Sequence, residues 1–294
     1  MSELIDYAET AISKYGINGD NSFEYIGISI NNTMSFKTYR KRTKRAMEYL
    51  KNTEPYCGLL KLLSKEFLFN NKLSICDFSK SVIENKETFR MVFSLENNQS
   101  KRQAENYVIN FLSQVDAETY IPEIIKTTRI IQEFYKNDES LLMQLGIEVS
   151  AEGHLLGVKY YVGIDKSDVA ITSDKLAKLL SLISRNTIDT SDLEQLVALL
   201  SEQEYDPVFV GFNIFNKLTE TKLYFKSSSF GFQTKQIMEH TNEVIMRYGL
   251  DYFISEDDVK ALYKMDLFIR GIAIDLDDFN RWRLYLNALP RKIV

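Results

Sequence analysis

The chain has 294 residues, 45% hydrophobic and 26% charged, with a formal net charge of −5. That balance excludes a globally disordered polymer and argues against a dedicated nucleic-acid binder, which carries a basic excess. Two cysteines without a CxxC spacing and two distant histidines, His154 and His240, suggest neither a disulfide framework, a zinc site nor a histidine-centred triad.

The amino-terminal segment MSELIDYAET reads as a short helix, with acidic residues where a signal peptide is basic. No stretch reaches the roughly 18 uncharged apolar residues of a membrane span. A soluble, cytoplasmic protein is expected. The first strand pattern covers residues 23–30: Ile26, Ile28 and Ile30 share one face, and Tyr25, Gly27 and Ser29 the other. It opens the hairpin-like segment from Gly27 to Tyr39, GISINNTMSFKTY. The basic run KTYRKRTKR at 37–45 reads as a strand end entering the solvated face of a helix.

Three more segments repeat the form of a glycine in an apolar run, a polar turn, then a basic residue followed two positions later by tyrosine. They run from Gly146 to Tyr161, from Gly211 to Tyr224 and from Gly271 to Tyr285. Their glycines are 65 and 60 residues apart, whereas Gly27 and Gly146 are 119 apart, close to two periods. A fifth, degenerate hairpin is therefore expected between them. Leu73 to Leu95 fits, with ENKE as its turn, Arg90 as its basic residue and Val92 in place of the tyrosine. Lys37, Arg90, Lys159, Lys222 and Arg283 are then spaced by 53, 69, 63 and 61 residues.

Helices fill the intervals. Pro122 suits the first turn of a helix through EIIKTTRIIQEFY, and residues 174–203 carry leucines at helical spacing. TKQIMEHTNEVIMRYG ends on Gly249, a favourable C′ residue, and places His240 on an amphipathic helix. Ser255 and Asp258 form a capping box for the next. No Gly/Ser/Pro-rich linker divides residues 1–294. The expectation is α+β: one domain, a ten-stranded antiparallel barrel with helices outside. Closure removes the sheet edges, and ten strands leave room for a chamber.

Residues two apart on a strand share a face. Lys37 and Tyr39, Lys159 and Tyr161, Lys222 and Tyr224, and Arg283 and Tyr285 thus form basic–aromatic pairs. On a lumen face with Arg90 they concentrate buried positive charge, which costs several kcal/mol per unpaired ion and calls for an anion such as a diphosphate. Tyrosine faces beside it shelter a carbocation, each contributing ~2 kcal/mol or more when desolvated. An allylic diphosphate would ionise there, and an electron-rich aromatic acceptor would attack the cation. Neither GxxxxGK[ST] nor GxGxxG occurs, which sets aside the common nucleotide enzymes. Two positions after the repeat glycines stand Ser29, Glu148, Asn213 and Ala273, of which Glu148 is the one carboxylate: it can accept a proton from the acceptor or its arenium intermediate, or simply neutralise Lys159. DLDD at 275–278 reads as a turn.

This arrangement resembles the ABBA, or PT-barrel, aromatic prenyltransferases, which are built of five αββα units with Lys/Arg-x-Tyr strands. The resemblance spans about residues 22–288 and fits the small microbial branch. It implies diphosphate binding by Lys37, Arg90, Lys159, Lys222 and Arg283, with Arg281 as a further contact, and a carbocation shield of Tyr39, Tyr161, Tyr224 and Tyr285. Some members hold Mg²⁺ through an aspartate on the second strand. Lys37 in the comparable slot implies metal-independent catalysis, with no cofactor beyond the prenyl diphosphate. The implied partners are a dimethylallyl or geranyl diphosphate and an aromatic acceptor: a phenol, naphthol, phenazine, indole or peptide side chain. Neither nucleic acid nor membrane is implied, and a monomer is expected. The alternatives are a non-catalytic barrel for an anionic or lipid-like ligand and, more weakly, a nucleic-acid binder using residues 37–51.

Overall fold

A computed structural model describes residues 4–6, 8–10, 23–30, 35–40, 54, 73–83, 86–95, 101–114, 117–134, 143–163, 178, 181–182, 191, 194–195, 198, 205–215, 218–227, 255–265, 267–276 and 281–288. The described residues contain ten strands in five consecutive hairpins. These are β1 (Phe23–Ile30) with β2 (Ser35–Arg40), β3 (Leu73–Ile83) with β4 (Lys86–Leu95), and β5 (Met143–Ser150) with β6 (Leu155–Gly163). They continue with β7 (Tyr205–Phe215) and β8 (Leu218–Ser227), then β9 (Leu267–Asp275) and β10 (Trp282–Ala288). Helices α1 (Lys101–Gln114), α2 (Ile121–Phe134) and α3 (Glu256–Lys264) lie between hairpins. None of the helices among the described residues is long and apolar enough to cross a membrane.

The strands form one curled antiparallel sheet. Each hydrogen-bonds to its sequence neighbours, and β1 pairs with β2 on one side and β10 on the other, so the order returns to its start. The hairpin expected in the gap between Gly27 and Gly146 is present: β3 and β4 pair with Ser79 opposite Arg90. Its connection is tighter than ENKE. Lys86 and Glu87 already belong to β4, opposite Ile83 and Val82.

Alternation separates two faces. Phe89, Met91 and Phe93 of β4, Leu145, Ile147 and Val149 of β5, and Val158 and Tyr160 of β6 are buried on the convex side. The helices cover that side. Phe93 meets Phe111 of α1 with ring centroids 5.6 Å apart. Tyr160 stacks on Phe212 at 5.9 Å and bonds to Thr128 of α2 at 2.7 Å. Because Thr128 gives its one hydroxyl proton to the Ile124 carbonyl (2.7 Å), the Tyr160 phenol is the donor to Thr128. Each fully buried aromatic here contributes about 2–3 kcal/mol of hydrophobic stabilisation, and the phenol is seated without an orphaned hydroxyl.

Local signals hold where they are described. Pro122 stands in the first turn of α2. Ser255 N–H donates to Asp258 Oδ2 (2.9 Å) and Asp258 N–H to Ser255 Oγ (3.1 Å), a reciprocal cap at the start of α3. Residues 178, 181–182, 191, 194–195 and 198 are helical, as the leucine spacing in 174–203 requires. Cys57, His240, Gly249 and the basic residues 41–45 lie outside the described residues. One reading is corrected: Asp275 is not a turn residue. It ends β9 with its N–H donated to the Arg281 carbonyl (3.1 Å), and it is 2% exposed. Asp277 and Asp278 lie outside the described residues.

Candidate diphosphate and aromatic site

The repeat places its glycines by register. Gly27 pairs with Lys37, Gly146 with Lys159 and Gly211 with Lys222. On its other side each of these three glycines faces the tyrosine position of a neighbouring hairpin: Gly211 faces Tyr161, Gly27 faces Tyr285, and Gly146 faces Val92, the degenerate copy. Gly271 departs from the pattern, standing opposite Tyr285 of its own hairpin and Lys226 of β8. At Gly211 the space left by the missing side chain is taken by rings. A Cβ on Gly211 would lie 2.6 Å from Tyr224 Cε2 and 2.8 Å from Tyr161 Cδ1. Tyr161 and Tyr224 meet edge-on at 5.7 Å, and Tyr224 continues to Tyr285 at 6.2 Å. Three tyrosines from three hairpins thus form one aromatic band on the concave face, anchored over glycine.

The basic residues stand beside it. Arg90 and Lys159 are both 5% exposed. Arg90 Nη1 donates to Tyr161 Oη at 2.7 Å, and its guanidinium carbon is 5.9 Å from the same ring's centroid. Lys159 Nζ is 3.2 Å from Glu148 Oε2, while Glu148 Oε1 accepts from Thr88 at 2.8 Å. The Lys159 ammonium is held down at about 8, chiefly by burial, with the like charges of Arg90 and Lys222 adding to the fall and Glu148 opposing it. An ion so disfavoured is stabilised by any additional anion that reaches it.

Lys222 lies 3.2 Å from Glu220 Oε2 and 3.7 Å from Asp275 Oδ2, directly opposite in register. Arg281, half-exposed just before β10, reaches Glu220 Oε1 at 3.4 Å. Burial tends to raise the Glu220 pKa, but Lys222, the Asn213 amide and Lys159 outweigh it, and the carboxyl sits below its ordinary value. Arg283 is half-buried on β10, opposite Ala273 and Ser29. Lys37 and Tyr39 are placed on β2 by register, Lys37 opposite Gly27 and Ser81, Tyr39 opposite Tyr25 and Ser79; their side chains lie outside the described set. Tyr39 shares a cross-strand row with Ser79, Arg90 and Glu148.

Arg90, Glu148, Lys159, Tyr161, Lys222 and Tyr224 are therefore brought onto one continuous surface, which Tyr285 and Arg281 extend. Sequence reasoning passed over Glu220 and misplaced Asp275. The signal for Glu220 was available, since it stands two residues before Lys222 and so shares its face. Chemically, a concave wall with clustered, partly compensated cations beside a band of π-faces can hold a polyanion at one end and a cation or aromatic ring at the other.

No protein-family profile matches this sequence, and no curated protein matches it. Solved structures do match in three dimensions. The fold is that of 5-dimethylallyltryptophan synthase. The Streptomyces coelicolor enzyme in complex with DMASPP and Trp superposes with a TM-score of 0.57 at 11% identity, over 92% of this chain and 81% of the other. A second structure of the enzyme gives 0.57 at 10% identity, over 90% and 80%. That enzyme is an ABBA-type aromatic prenyltransferase, so the resemblance drawn from the hairpin repeat and the three-dimensional match agree on the fold.

Proposed function

We propose that this chain is an aromatic prenyltransferase acting inside a ten-stranded PT barrel of five αββα units, a single domain over residues 1–294. The observation that carries the reading is the adjacency of Arg90, Lys159 and Lys222 to the Tyr161–Tyr224–Tyr285 band. The match to a solved enzyme bound to DMASPP and Trp supports it.

In this reading the diphosphate of a dimethylallyl or geranyl donor lies against Lys37, Arg90, Lys159, Lys222 and Arg283, with Arg281 at the rim. The allylic C–O bond breaks, its electron pair leaves with the diphosphate, and the cations stabilise the developing charge. The tyrosines, Tyr39 included, shield the allylic cation from water. An electron-rich aromatic carbon attacks it, and the arenium intermediate loses its proton. Glu148, held by Thr88 and Lys159, is the carboxylate within the site suited to receive that proton. Lys37 in place of a metal-binding aspartate supports catalysis without Mg²⁺. A cytoplasmic monomer is the accompanying expectation.

Incubation with dimethylallyl and geranyl diphosphate and a panel of phenols, naphthols, phenazines, indoles and aromatic peptides, read by mass spectrometry with and without EDTA, tests this. A prenylated product, undiminished by EDTA, is expected. No product and no diphosphate binding would overturn the reading. Diphosphate binding without turnover, indifferent to Tyr161→Ala and Tyr224→Ala, would instead identify a binding barrel for an anionic ligand.

A further inference from the structure

Besides Lys159, which holds Glu148, two of the cations assigned to the diphosphate, Lys222 and Arg281, already share a carboxylate. Glu220 divides its oxygens between them, Oε2 at 3.2 Å from Lys222 and Oε1 at 3.4 Å from Arg281. Asn213 Nδ2 fixes it further with a 3.2 Å bond to Oε2. Asp275 approaches the same ammonium from the neighbouring strand at 3.7 Å. The hairpin repeat does not require this. The residue two before the basic position is Ser35, Thr88, Gly157, Glu220 and Arg281 in the five hairpins, so a carboxylate occurs there once. The partner of that carboxylate is the residue at the same repeat position in the last hairpin, Arg281.

Location gives the pair a consequence. Lys159 and Glu148 are deeply buried, with side chains 6% and 8% exposed, whereas Lys222, Glu220 and Arg281 rise through 16%, 22% and 49%. Glu220 and Arg281 therefore stand nearer solvent than the Lys159–Glu148 pair, with Asp275 buried behind them at 2% exposure. A wall of uncompensated cations would hold the product diphosphate as firmly as the substrate's, and slow release limits turnover in many enzymes. A tethered carboxylate that re-forms its ion pairs as the diphosphate departs lowers the affinity for both.

We propose that Glu220, backed by Asp275, is a resident counter-ion that competes with diphosphate for Lys222 and Arg281 and so sets how readily the leaving diphosphate is released. The inference rests on the prenyltransferase reading of the site. Glu220 is a positioning residue in this account: it acts through Lys222 and Arg281, not on the reacting carbon. Glu220→Gln keeps its size and an acceptor for Asn213 while removing the competing charge.

The experiment is calorimetric titration of inorganic diphosphate into the full chain, its Glu220→Gln variant and its Asp275→Asn variant, each first shown to be folded by near-ultraviolet circular dichroism. The expected result is wild-type binding that tightens about tenfold in Glu220→Gln, with a change of the same sign in Asp275→Asn, because an internal competitor for the cations has been neutralised. Should one variant fail to fold, the other carries the test with the same readout. Wild-type binding that is unchanged or weakened in a folded variant overturns the inference and leaves the function intact: the carboxylates then only orient Lys222. Absence of diphosphate binding in the wild type and both variants overturns the functional reading itself, and the inference with it.

Discussion

Arg90 Nη1 donates a 2.7 Å hydrogen bond to Tyr161 Oη across 71 positions of sequence. The cation of the hairpin that lacks a tyrosine is thereby joined to the tyrosine of the next. Val92, in the vacant tyrosine position, lies against Gly146, and the ring over this part of the wall comes from Tyr161 instead. Tyr161→Phe keeps the ring and its edge contact with Tyr224 while removing the acceptor. It should cost about 1.5–3 kcal/mol in urea denaturation, the usual effect of removing one partner from a buried hydrogen bond to a charged group. Tyr161→Ala should cost more, since the ring's packing is lost with its hydroxyl.

Lys159 makes anion binding pH-dependent. With its pKa lowered by burial from 10.5 to about 8, it is largely neutral above that pH in the empty site, and a bound anion restores the proton. Diphosphate affinity should fall as pH rises from 7 to 9, and binding at pH 8.5 should take up a proton, seen as a buffer-dependent enthalpy. Lys159→Arg should abolish that uptake. Arg90→Met removes one of the like charges that depress Lys159, so the midpoint should move upward. For stability the sign follows from proton counts. Between about 8 and 10.5 the unfolded chain holds this proton and the folded chain does not, so the Lys159 contribution favours folding increasingly as pH rises through that window; below it the burial cost is present in full.

Gly211 is a site where a methyl group meets two rings at once, 2.6 Å from Tyr224 and 2.8 Å from Tyr161. Gly211→Ala should destabilise by about 1–3 kcal/mol through overpacking and should displace the aromatic band, lowering the prenylation rate. Gly153 supplies the contrast. Its φ is +86° and no atom lies near a Cβ placed there. Gly153→Ala should lose about 1 kcal/mol from backbone strain alone, with diphosphate affinity unchanged.

Glu148→Gln separates the two roles open to that carboxylate. A proton acceptor for the arenium intermediate predicts a fall in kcat of about 10²-fold or more at every pH, on top of any change in diphosphate affinity. A purely compensating role predicts a change in affinity alone. Removing its charge takes away the attraction that raises the Lys159 pKa, so the affinity midpoint would shift to lower pH while kcat persisted below it. Prenylation rates and diphosphate titrations across pH 6–9 distinguish the outcomes.

Much of the architecture was legible because its cause is local. Period-two alternation with a recurrent glycine marked four hairpins, and their spacing required the fifth, β3–β4. The Ser255–Asp258 cap and the position of Pro122 are contacts within one helical turn, readable at short range. Asp275 was misread for the opposite reason. Acidic residues favour turns in isolation, but here the backbone of β9 stays extended, held by β8 and by the Arg281 carbonyl.

By itself the sequence determined which residues share a strand face, and hence that Lys159 accompanies Tyr161 and Lys222 accompanies Tyr224. Side-chain direction along a strand depends only on parity. Tertiary structure alone decided which hairpin's cation meets which hairpin's tyrosine or carboxylate. Those contacts depend on the offset between neighbouring strands, which is set by the curl of the sheet and the packing of helices against its outer side. That offset seats Gly211 beneath Tyr161, brings Arg90 to the same phenol, and turns a periodic list of cations into a site with its own counter-ions.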